Sequence, residues 1–92
     1  MTTEAWRLSI AASAERSLER LPPKIATATV QFMLGPLVEA PRRVGHPLQR
    51  RELTGLWSAC RGAYRIVYEL NEAELVVNVI RIDHRADVYR SR

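Results

Sequence analysis

The stretch LWSACRGAYRIVYELNEAELVVNVIRI, residues 56–82, decides how this chain folds. Gly62-Ala63 interrupts it as one tight turn and Asn71 to Ala73 as another, leaving three runs rich in β-branched and aromatic residues. Such runs pack well on a pleated surface, and short breaks of Gly or Asn between them favour hairpins. A three-strand antiparallel meander is predicted. Because strand side chains alternate, Tyr64, Ile66, Tyr68 and Leu70 fall on one face of the middle strand, and Arg65, Val67 and Glu69 on the other. Arg65 is therefore expected on a rigid strand. The last run is apolar on both faces from Leu75 to Ile80, the pattern of a central strand.

Working back toward the N-terminus, Trp6, Leu8 and Ile10 alternate with Arg7 and Ser9, which predicts a further strand. Ser13 is placed to cap a short helix, with Glu15 near the positive end of its dipole, and Pro22-Pro23 ends that helix near Leu21. Pro23 suits the first turn of a second helix. Ile25, Ala28, Thr29, Phe32 and Met33 repeat there at helical spacing, and Gly35-Pro36 ends or kinks it. Pro41 to Gly55 shows no period and reads as a basic loop. The fold expected is α+β in two layers. An N-terminal strand and a helical hairpin pack on a mainly antiparallel sheet that the C-terminal meander completes, with arginines on the opposite, open face.

Ninety-two residues allow one domain, residues 1–92. With 47% hydrophobic and 26% charged residues the composition is that of a folded domain, not of a disordered chain. No apolar run reaches the roughly 20 residues that a bilayer requires, and the N-terminus has no apolar signal core, so no membrane and a cytoplasmic location are expected. The lone Cys60 allows no internal disulfide and is expected as a packed thiol.

The net charge of +4 lies wholly in the second half. Four cations balance four acidic residues through Pro41; from Arg42 onward ten cations face six. Thirteen of the fourteen cations are arginine, whose planar fork matches pairs of phosphate oxygens. A polyanion such as RNA is the indicated partner, against the plainer reading of a solvated charged face. There is no CxxC, no HExxH and no glycine-rich phosphate loop, so no metal or cofactor is expected. The candidates for chemistry are Arg61 and Arg65 around the first meander turn, then His84, Arg85 and Tyr89 after the last strand, with Arg50, Arg51 and Arg81 as further RNA-contacting cations. Metal-free RNA cleavage needs a group to take the 2′-hydroxyl proton, one to protonate the leaving oxygen, and cations for the charge on phosphate. Histidine, with a free pKa of about 6.5, suits either proton transfer; tyrosine, at about 10, needs nearby cations to act as a base.

At these residues the chain resembles the RelE/ParE toxin superfamily. The resemblance runs through AASAERSLERLP, PPKIATATVQFMLGPL, LTGLWSACRGAYRIVY and IRIDHRADVY, nearly the whole chain in order. It implies a toxin of a type II toxin-antitoxin pair. RelE-branch toxins cut mRNA at the ribosomal A site with meander and C-terminal arginines and a late tyrosine. By position these correspond to Arg65 in GAYRIVY, Arg85 in IDHR and Tyr89 in ADVY, with His84 where related branches place an acid or base. The best-known members also carry two lysines on the strand before the turn, where this chain has Trp57 and Ala59; Arg61, Arg50 or Arg51 would then supply the missing charge. The resemblance further implies a RelB-like antitoxin that covers the basic face, with operator DNA reached only through that antitoxin. Two alternatives remain: a ParE-like inhibitor of DNA gyrase, and a catalytically weak relative that acts with its antitoxin in operon repression.

Overall fold

The computed structural model describes residues 6–48 and 55–84, and of His84 the backbone alone. The elements are β1 (Arg7–Ile10), α1 (Ala12–Arg20), α2 (Pro23–Phe32), a wide π-type turn (Met33–Leu37), α3 (Pro41–Val44), β2 (His46–Pro47), β3 (Leu56–Arg61), β4 (Tyr64–Asn71) and β5 (Val76–His84). The strands form one five-stranded sheet in the order β1-β5-β4-β3-β2. β1 runs parallel to β5 and all other pairs are antiparallel, so the expected α+β architecture and meander are observed. β5 lies between β1 and β4, which accounts for its doubly apolar sequence. No helix among the described residues is long and apolar enough to cross a membrane.

One side of the sheet packs against the helices. Ala59 of β3, Ile66 and Tyr68 of β4, and Val77, Val79 and Ile82 of β5 form the core with Ala14, Met33 and Leu37. Tyr68 is fully buried and donates a hydrogen bond to the Pro41 carbonyl at 2.6 Å, which ties β4 to α3. Burial pushes the Tyr68 phenol up to about 12, so it stays a neutral donor. Gly45 is required beside it: a Cβ there would stand 2.1 Å from the Tyr68 hydroxyl and 2.8 Å from the Ser58 carbonyl.

Three local features differ from the sequence reading. Ser13 does not cap α1, whose N-cap is Ala11; its hydroxyl instead donates to the Ile80 carbonyl at 2.6 Å. At Gly35-Pro36 the helix does not simply end or kink: α2 stops at Phe32. The chain widens into the π-type turn, which accommodates the missing proline N–H, and buries Met33 and Leu37. The segment read as a loop from Pro41 contains the helical turn α3 and the edge strand β2, too short to show a period. Pro47 is tolerated there because an edge strand has a side with no ladder to complete.

Candidate nucleic-acid interface

Residues paired across antiparallel strands share a face, so the register defines what the side away from the helices presents. Cys60, Arg65 and Asp83 form one row across β3, β4 and β5. His46, Ser58, Val67 and Arg81 form the next row, starting from β2. Leu56, Glu69, Asn78 and Ser9 form a third, reaching β1.

A bulge in β5 makes the second row possible. Val67 pairs with Arg81 but the next residue, Tyr68, pairs with Val79, so β5 carries one extra residue, Ile80. Strict alternation from the buried Val77 and Val79 would send Arg81 and Asp83 toward the core. The extra residue reverses the phase: Ile82 goes in, 5% exposed, while Arg81 and Asp83 come out. The Ser13 hydroxyl then meets the Ile80 carbonyl at the bulge.

Arg65 stands on the central strand of the sheet. Its Nε is buried and has no hydrogen-bond partner among the described residues. A buried cationic donor left unpaired costs free energy, so the site favours an acceptor that reaches it. Asp83 is its cross-strand neighbour, but that carboxylate accepts from Arg81 Nε at 2.7 Å. Val67 is 2% exposed and Ser58 7%, which gives the charged row a buried, uncharged floor.

The structure brings Arg65 and Arg81 to one face and does not bring Arg61 to it. Arg61 pairs with Tyr64 on the helix side, its guanidinium 5.9 Å from the centre of the Phe32 ring. Trp57 and Ala59 share that side: Trp57 stacks on Tyr68 at 6.5 Å and Ala59 is buried. Cations at those two positions would therefore not face Arg65; the β3 residues that do are Ser58 and Cys60. Cys60 is exposed, not packed as expected, because its row lies away from the helices. The His84 backbone pairs with Tyr64. Arg50, Arg51, Arg85 and Tyr89 lie outside the described residues. His46 lies within the segment read as a basic loop; the two-residue strand that puts it in the row of Ser58 and Arg81 carries no detectable pattern.

A second feature sits at the other end of this face. Ser9, Glu69, Asn71, Glu72, Glu74 and Asn78 line an open depression of about 550 Å³ beside the β4–β5 turn. Four residues of strand, about 13 Å, separate Glu69 from Arg65. The depression is acidic and distant from Arg65 and Arg81, so it is not where a polyanion would settle.

Helices on one side of a mixed sheet, with Arg65 and Arg81 on the other, define a small two-layer α+β domain. The sequence model described as ParE toxin of type II toxin-antitoxin system, parDE, matches residues 8–89. The chain is 50% identical over 78 residues to toxin RelG of Mycobacterium tuberculosis, covering 85% of this chain and 88% of the relative. It is 47% identical over 85 residues to toxin RelE of the same organism, covering 92% and 87%. Its fold matches a chain of the toxin-antitoxin complex RelBE2 from M. tuberculosis with a TM-score of 0.85 and 43% identity, over 89% of this chain and all of that one. The chain belongs to this RelE/ParE family of type II toxin-antitoxin toxins.

Proposed function

We propose that the chain is a ribosome-dependent mRNA endoribonuclease, neutralised by a cognate RelB-like antitoxin. The observation that carries this reading is Arg65, a central-strand guanidinium whose buried Nε lacks a partner among the described residues, on a face that also holds Arg81. The reaction needs no metal. The ribose 2′-hydroxyl attacks the adjacent phosphorus and the P–O5′ bond breaks, giving a 2′,3′-cyclic phosphate; of Tyr89 and His84, one takes the hydroxyl proton and the other gives a proton to the leaving 5′-oxygen. Arg65 and Arg85 stabilise the charge that gathers on the phosphate. Arg85 lies two residues beyond Asp83, the cross-strand neighbour of Arg65. Extended backbone spans at most about 7 Å over that step, a separation that allows both arginines to contact one phosphate. Arg50, Arg51 and Arg81 supply further contacts along the RNA backbone. Arg61, over Phe32, would have to turn away from that ring to take part.

The relatives support the toxin-and-antitoxin part of this reading. RelG and RelE are both toxins by name, and the RelBE2 chain is part of a toxin-antitoxin complex. An extended acidic segment of the antitoxin laid over the arginine face would bury the same donors that RNA uses. Operator DNA is then reached through the antitoxin, and the site of action is the A site of cytoplasmic ribosomes. The ParE name of the matching family favours a second reading, inhibition of DNA gyrase. Inducing the chain while mapping RNA ends on translated messages by primer extension, with DNA supercoiling assayed in parallel, separates the two. Cuts within codons support cleavage. DNA breaks with intact messages support gyrase, and neither effect indicates a relative that acts only with its antitoxin.

A further inference from the structure

The proposed reaction gives no role to Asp83. Its carboxylate accepts from Arg81 Nε at 2.7 Å, with the Asp83 side chain 24% exposed and that of Arg81 56%. A pair this exposed contributes little to stability, so its consequence lies in where it points the guanidinium. Arginine carries five N–H donors in a planar fork, and the bond to Asp83 occupies Nε. The two Nη groups remain, and their outer edge matches two oxygens of one phosphate. Arg81 lies one row along and one strand over from Arg65, a diagonal of about 7–8 Å between Cα atoms in a sheet. That is the scale of one step between phosphates along an RNA strand.

We propose that Asp83 is a positioning residue: it holds Arg81 by Nε so that the Nη edge receives the RNA phosphate next to the one at Arg65. The inference rests on the reading of the chain as an RNA-cleaving toxin. The bulge at Ile80 serves the same end, since it turns Arg81 and Asp83 together onto the face of Arg65. A different role for the carboxylate would be to offset the charge of the arginines and repel RNA. The two roles differ in sign, because an offsetting charge weakens binding when present whereas a positioning one weakens it when lost.

The test is single-turnover cleavage of a message on programmed ribosomes by the full chain, with toxin concentration varied to separate the maximal rate from half-saturation. Loss of one aimed contact predicts that D83A raises the half-saturating concentration on the order of fivefold and leaves the maximal rate within about twofold. D83N, whose amide oxygen still accepts from Nε, recovers most of the loss. In an R81A background D83A adds nothing further. R81K keeps the charge without the fork and falls with R81A, which keeps the test sharp should D83A fold poorly. Tighter half-saturation in both D83A and D83N overturns positioning in favour of the offsetting charge. A full D83A effect on top of R81A, or R81K equal to wild type, also overturns it. Message left uncut by the wild-type chain overturns the nuclease reading itself, and the inference with it.

Discussion

The face of the sheet away from the helices has two ends, and they treat their polar groups differently. Beside the β4–β5 turn the groups satisfy one another. Asn78 donates to Glu69 at 3.0 Å, the Glu74 amide to the Asn71 side chain at 3.1 Å, and Arg42 to Glu72 at 2.5 Å. Beside the β3–β4 turn Arg81 is held by Asp83, while Arg65 Nε is buried without a partner among the described residues. The acidic end has an open depression, yet Glu69, Asn71, Glu72 and Asn78 in its lining already have partners within the chain. The arginine end has the unmet demand, and it is there that the proposed RNA interface lies.

The largest expected effect tests that contrast directly. R65A should lower message cleavage on the order of 10²- to 10³-fold while circular dichroism shows an intact fold. E69Q combined with E74Q should leave cleavage within about twofold; equal losses at both ends would erase the distinction. Next comes the seam behind the arginine end. G45A drives a Cβ into the Tyr68 hydroxyl and the Ser58 backbone, which should cost about 1–3 kcal/mol in urea unfolding.

Alkaline pH reads the same seam. The Tyr68 phenol is raised in the folded state, so its stabilising share is complete below about pH 10 and is lost as pH rises toward about 12. The full loss is roughly 2–3 kcal/mol, and Y68F should flatten that fall. S13A should cost about 1 kcal/mol by unpairing the bulged Ile80 carbonyl, a change visible in amide exchange along β5. The smallest effect belongs to the acidic end, where the exposed Arg42–Glu72 pair predicts that E72Q shifts stability by less than about 0.5 kcal/mol.

The meander, the strand before the helices, the two helices and the face of Arg65 were legible in the sequence because period two, period 3.6 and turn residues are local signals. The pairing of Ser13 with Ile80 was not, since a serine before a helix has the same local chemistry whether it caps or reaches 67 positions along the chain. The facing of Arg81, already a candidate RNA contact, escaped for a related reason. Its run is apolar on both faces, so nothing in VVNVIRI marks where the alternation slips.

Composition and patterning by themselves determined the α+β class, the excess of arginine in the second half and the strand that bears Arg65. Only the tertiary structure decided which arginines share a face. It sent Arg61 to Phe32 and turned Arg81 and Asp83 outward, and it left Cys60 in the open. Facing depends on register and on the bulge, and these are set by contacts between strands and helices distant in the chain rather than by neighbours within it.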